Sequence, residues 1–357
     1  MAAIIVVLAA VLLSVRSLAS RDVVVRVDGL GDRSLDILAC DDTVVWVRGW
    51  SHVDAQVALA RGVAAAQAEA YATLVGISQT GEITEAAMGQ ALIAAFSAAR
   101  DGTLWIVLLD VSTGRTRTRA SMDRGRSWLE KAAPADIIGI AFETRDEGYA
   151  WSTTQVYRTV DGGNTWTSRS LLPFRRERGG SSGTARLGAR GELWMPLDRP
   201  LSDPGALPAS TLVVVNPDLS VVNVATWPED RILAIALDDA AALAALSPRA
   251  GGFRVERVAL ESGASGRSTV VLAQRDAAMK GLQSRGSLFL LHEGFWEPQA
   301  SMLSNLPATI EVSPDAGKTW RSRDVTDAAV SSACLADAGV WTLSERYKRV
   351  TFRPHRR

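Results

Sequence analysis

The sequence is short of cysteine, of histidine and of any imbalance of charge. Its 357 residues hold two cysteines, Cys40 and Cys334, and three histidines. Two thiols are too few for a disulfide framework or a thiolate zinc site, so neither a metal nor a cofactor is expected. Lysine plus arginine number 39, and so do aspartate plus glutamate, so no global positive field exists to hold nucleic acid. Tyrosine is scarce, at 4 residues beside 11 tryptophans. Apolar residues make up 47% and charged residues 22% of the chain, a globular balance that excludes wholesale disorder.

A long hydrophobic run is also missing. Ala2–Leu13 is wholly aliphatic, but a dozen residues span only about 18 Å as a helix, short of a ~30 Å hydrocarbon core. That length fits the core of an export signal, with Ser17 and Ala19 as small residues before a cut at Ser20. No lysine or arginine precedes the run and Arg16 follows it. Residues 1–20 are therefore expected to be a signal peptide or, through residues 2–15, an amino-terminal membrane anchor. Residues 21–357 are expected to form one exported domain, periplasmic or extracellular.

That domain is repetitive. An apolar strand, a polar or glycine turn and a second apolar strand recur, the second strands ending on Trp46, Trp105, Ala150, Trp194, Leu243, Phe289 and Trp341. The steps run from 44 to 59 residues. A four-stranded propeller blade needs roughly 40–50 residues, and insertions lengthen individual steps. Seven copies predict a single all-β domain, a seven-bladed β-propeller. Six or eight blades stay open, because the fifth and sixth copies are weak. The last unit lacks a fourth strand, and Val23–Val27 lacks a partner, so an amino-terminal strand is expected to close the ring. Cys40 and Cys334 fall on the first strands of the first and last units. An offset of one position sends their side chains to opposite faces, so buried free thiols are expected, with a disulfide as the alternative that export permits.

Three segments share the pattern Ser/Thr-x-Asp-x-Gly-x-Ser/Thr-Trp: Ser121 to Trp128, Thr159 to Trp166 and Ser313 to Trp320. The pattern suits a hairpin turn. A carboxylate from Asp123, Asp161 or Asp315 accepts backbone N–H groups, and Gly125, Gly163 or Gly317 takes the left-handed conformation. Trp128, Trp166 or Trp320 then covers the turn with apolar area. With Gly148-Tyr149-Ala150 running into Tyr157-Arg158-Thr159 and the second of these segments, the chain resembles the Asp-box (BNR) repeat propellers. These include the sialidases and the photosystem II assembly/stability factors, the latter the nearer likeness. The resemblance implies that the boxes are structural turns between third and fourth strands, away from the ligand face.

Long connections are read at Arg48–Asp54, Ser78–Gln90, Ser168–Gly183, Met195–Ser210 and His292–Pro307, all expected on one face. They carry a candidate binding set: Trp50, His52, Arg175, Arg176, Arg178, Arg199 and Trp296. Aromatic and charged loops on a rigid scaffold are where binding commonly resides. The expected function is a non-enzymatic binding or assembly scaffold for a protein complex or glycan of the cell envelope. The alternative is a sialidase-like glycoside hydrolase, which needs an arginine cluster, a Tyr–Glu pair and an acid. Against it, the Arg-Ile-Pro motif that opens sialidase domains is missing, and Phe253-Arg254-Val255 is neither in place nor complete. No catalytic residue is assigned.

Overall fold

A computed structural model describes residues 23–26, 34–50, 71–110, 113–171, 185–198, 210–237, 241–248, 252–259, 268–275, 278–285, 288–294, 309–315, 318–323, 330, 332–344 and 349–355. Residues 1–20, expected to be a signal peptide or membrane anchor, lie outside them. Every regular element among the described residues is a β-strand, and no helix there is long and apolar enough to cross a membrane.

The amino-terminal strand is β1 (Val23–Arg26). One sheet then runs through β2 (Ser34–Cys40), β3 (Val44–Trp50), β4 (Tyr71–Ser78), β5 (Ile83–Ala98), β6 (Leu104–Asp110), β7 (Thr116–Ser121) and β8 (Leu129–Lys131). A four-stranded sheet follows: β9 (Gly139–Phe142), β10 (Gly148–Trp151), β11 (Gln155–Thr159) and β12 (Thr167–Ser170). The next holds β13 (Arg186–Leu187), β14 (Leu193–Asp198), β15 (Ser210–Val215) and β16 (Val221–Trp227). After it come β17 (Asp230–Leu237), β18 (Ala241–Pro248), β19 (Phe253–Ala259) and β20 (Ser268–Arg275). The fifth sheet is β21 (Ala278–Arg285), β22 (Leu288–Gly294), β23 (Thr309–Ser313) and β24 (Arg321–Arg323). The sixth is β25 (Ser332–Leu335), β26 (Gly339–Ser344) and β27 (Arg349–Pro354), with β1 on its outer edge. Strands β2, β5, β9, β13, β17, β21 and β25 each touch the next, and β25 touches β2. The fold is an all-β propeller.

Among the described residues the hydrogen-bonded sheets number six, not the seven separate blades expected from the repeats. The difference lies in β5. Its residues 83–90 pair with β4 and residues 91–98 pair with β6, so two repeat units share one continuous 16-residue strand. Residues 83–98 contain no proline and a single glycine, Gly89, and nothing in them interrupts extended backbone. The long connection expected at Ser78–Gln90 is therefore absent. Ser78 to Glu82 is a tight turn closed by Glu82 carbonyl and Ser78 N–H, and the rest is strand. The third repeat also slips by one residue. Tyr149, not Ala150, stands opposite the inner strand as Trp105 does, facing Ala141 where Trp105 faces Ser97.

Strand β1 pairs antiparallel with β27, with Val23 opposite Phe352 and Arg26 opposite Arg349. The last sheet also packs on the first. Val45, Val47, Val75 and Ile77 share one buried cluster with Cys334, Trp341, Leu343 and Phe352. Within it Cys40 and Cys334 form a disulfide, Cα to Cα 6.1 Å across a sequence separation of 294. The expectation of free thiols fails for an instructive reason. Cross-strand partners share a face. Cys334 stands opposite Trp341 and Cys40 opposite Val45, so the thiols do point from opposite faces of their own sheets. In stacked sheets, opposite faces of neighbours are the ones that meet. A β-bulge between Ile37 and Ala39 sets the parity in β2.

Removing this bond by Cys40→Ser with Cys334→Ser is expected to cost about 2–5 kcal/mol in denaturant unfolding. Quantitative thiol labelling of unfolded, unreduced protein is expected to find no free thiol; two would disprove the pairing.

Candidate functional site

The three motif turns bond alike. In the first, Ser121 Oγ donates to Asp123 Oδ1 (2.8 Å) and accepts from Gly125 N–H (2.7 Å). Asp123 in turn takes Ser127 N–H at 2.8 Å and the Ser127 hydroxyl at 2.6 Å. In the second, Asp161 accepts from Thr159, Asn164 N–H, Thr165 N–H and the Thr165 hydroxyl. Asp315 accepts from Ser313 and from both groups of Thr319. These bonds favour the charged form and hold all three carboxyls down to about 2. Each carboxylate is thus spent on its own turn. Trp128 donates to the Gly125 carbonyl (3.1 Å), and Trp166 reaches back to the Ala132 carbonyl (3.2 Å).

The hairpins joining first and second strands bond to one another across the seams. Asp42 accepts from Ala338 N–H and Asp101 from Arg145 N–H, both at 2.6 Å. Trp341 donates to the Asp41 carbonyl (2.8 Å) and Tyr149 to the Gly191 carbonyl (2.9 Å). These hairpins therefore share one end of the molecule. In an antiparallel sheet the ends of second and fourth strands point the other way. From that other end depart segments 51–70, 172–184, 199–209 and 295–308, which follow β3, β12, β14 and β22. His52, Arg175, Arg176, Arg178, Arg199 and Trp296 lie in them, outside the described residues. Trp50 is the last residue of β3, in register with Ser34 and Ala72.

At the same end the described residues place two arginine–carboxylate clusters that the sequence did not single out. Arg48 bonds Asp36 (3.0 Å) and the Ile93 carbonyl (3.0 Å) across the seam to the second repeat. Arg254 grips Asp230 through both terminal nitrogens (3.2 and 2.6 Å) and Glu256 through Nε (2.8 Å). The second oxygen of Glu256 accepts from Trp227 Nε1 at 2.9 Å, tying the sheet before it to this one. The Asp230 and Glu256 contacts push the Arg254 pKa upward. Asp230 begins β17 and Arg254 lies near the start of β19, far apart in sequence, so spacing carried no sign of the pairing. All three nitrogens of Arg254 are already engaged by Asp230 and Glu256, so its end-on fork is not free for a substrate carboxylate. Tyr149 is equally committed: burial pushes its phenol up to about 12, the reverse of what a nucleophile needs. Among the described residues no group of three or more His, Cys, Asp or Glu side chains is placed to hold a metal.

No family model matches the chain, and no curated protein does. Solved structures do match in shape. A structure titled "YCF48 bound to D1 peptide" superposes with a TM-score of 0.57 at 14% identity, covering 93% of this chain and 95% of that one. The β-propeller domain of the Trilobed protease from Pyrococcus furiosus gives 0.58 at 8% identity, covering 87% and 91%. The GH74 enzyme from Niastella koreensis gives 0.50 at 11% identity, covering 82% of this chain and 43% of its own. What is shared is the fold. Identities this low carry no residue roles across, and propellers host unrelated functions.

Two outcomes are expected. The turn carboxylates have folded pKa values below the ~3.9 of an unfolded aspartate. Their stabilisation is present above about pH 4 and is lost as pH falls through about 2. Thermal midpoints should therefore drop across that window, and Asp161→Asn with Asp315→Asn should flatten the slope. Arg254→Met leaves buried Glu256 and half-buried Asp230 without this cation and should cost about 3–5 kcal/mol in chemical denaturation.

Proposed function

We propose that this chain is an exported, non-enzymatic propeller that serves as a binding or assembly scaffold for a protein complex or glycan of the envelope. In this reading the seven-stranded sheet counts as two blades sharing β5, which makes seven blades, and β1 on β27 closes the ring. The observation that carries the proposal is the departure of four long segments from one end of the sheets, opposite the hairpins that bond the seams. A rigid scaffold with its long connections leaving from one end is the arrangement of a binding platform. The Cys40–Cys334 disulfide supports export, since such bonds persist in oxidising compartments. The motif turns serve as structure and not as a site.

The glycoside hydrolase alternative draws on the GH74 likeness, a likeness of fold. It is weakened by the commitment of Arg254 and Tyr149 to internal bonds.

The test uses the full chain as bait against envelope extract of the source cell and a glycan array. Arg175→Ala, Arg176→Ala and Arg178→Ala together are expected to weaken capture of the recovered partner and leave the thermal midpoint unchanged. Capture should also fall with salt, because screening shortens the reach of exposed charge to about 8 Å at physiological ionic strength. Capture that ignores both salt and the triple substitution would remove this loop from the site. Turnover of a glycan, lost with one carboxylate, would overturn the scaffold reading.

A further inference from the structure

Among the described residues, the exposed large apolar side chains gather toward one end of the propeller. Ile83, Met122, Leu129, Val160 and Val222 are 37–59% exposed. Each lies on, or within two residues of, a turn from a third strand to a fourth. The other two, Val24 and Val270, lie in the first halves of β1 and β20. Fourth strands set out from the end that holds the seam-bonding hairpins. All seven therefore stand toward that end, and none toward the end from which the long segments depart. A single exposed valine needs no explanation, but a one-sided distribution does.

The chain also enters at the hairpin end. Strand β1 takes the fourth-strand place beside β27 and runs antiparallel to it. Strand β27 finishes at the hairpins, where His355 N–H donates to the Ala338 carbonyl (2.8 Å). Val23 thus starts β1 at the same end. Residues 14–22 are all that separate Val23 from the aliphatic run Ala2–Leu13, and a chain of that length reaches about 30 Å at most. The turns carrying Ile83, Met122, Val160 and Val222 belong to four consecutive repeat units, and β1 to the sheet packed on the first of them. The apolar rim is thus one arc, with the entry of the chain at its start.

Charge at this end is balanced. Arg100, Arg126, Arg145 and Arg190 each lie 3.4–3.9 Å from a carboxylate, of Glu143, Glu82, Asp146 and Glu192 respectively. Apolar area, not charge, is what this end offers a partner.

We propose that the hairpin end lies on a lipid bilayer. Residues 2–15 hold the chain to the membrane, and the apolar rim seats at the boundary of headgroups and acyl chains. The loop-bearing end is then directed away from the membrane. The inference rests on the reading of an exported chain that keeps its amino-terminal segment, and adds which end meets the bilayer.

Oxidative footprinting of the full chain on vesicles of phosphatidylcholine and phosphatidylglycerol tests it, with flotation run in parallel. Met122 is expected to be oxidised about threefold or more slowly in the unmodified chain than in I83E/L129E/V160E on the same vesicles. That variant should keep its thermal midpoint, because the three side chains face water. Protection should survive raised salt, and Trp50, at the loop-bearing end, should be oxidised equally with and without vesicles. Protection of Trp50 in place of Met122 overturns the proposal. So does equal protection of Met122 without lipid, which would mean that a second copy covers the rim. A chain that floats with Met122 unprotected keeps its anchor and loses the docking; a chain that does not float loses both. Either result overturns the proposal, and neither bears on partner capture by the opposite end, which the scaffold reading requires.

Discussion

Each sheet of this protein has two apolar faces, and neither is stable until a neighbour covers it. The residues on one face of a strand pack forward and those on the other pack backward. Trp194 joins Ile232 and Ile235 ahead of it, whereas Leu193 and Met195 join Tyr149 and Trp151 behind. A strand buried on both faces has no polar side to give to water. This explains why the second strands read as continuous apolar runs such as Leu104–Leu108 instead of alternating. The same constraint decides where polar groups are tolerated. They appear at seams, where Ser97, Ser284 and Gln283 satisfy backbone groups of the adjoining sheet, and at turns, where the motif carboxylates do so.

The repeats made the architecture legible because a propeller writes one hairpin again and again. The three motif turns were legible residue by residue, since a turn is a local object and its donors lie within four positions of the aspartate. Two things were not. A one-residue slip in the third repeat, with Tyr149 taking the place of Trp105, is invisible when an aromatic and an alanine are adjacent. The fusion of two units through β5 depends on the absence of breakers over sixteen residues, and the spacing alone reads the same with a loop there or without one.

The cysteines and Arg254 show the limit from the other side. The repeat offsets Cys40 from Cys334 by one position, but the meaning of that offset reverses once sheets stack face to face, because opposite faces become contacts. In the sequence Arg254 stands only in an incomplete Arg-Ile-Pro-like segment. Its partners Asp230 and Glu256 lie on other strands or two residues along the same strand, a pairing set by register and by the bulges of β17 and β19. Charges that meet through tertiary register leave no mark in local sequence.

The unbroken β5 has a consequence for how this protein can change over generations. Connections that lie outside the ladders can gain or lose residues without disturbing them, and the chain has such slack after β3, β12, β14 and β22. Between the first two repeats the chain has no such slack: one inserted residue would reverse the facing of every side chain beyond it along the strand. That seam is the fixed margin against which the rest of the loop-bearing end is free to diversify.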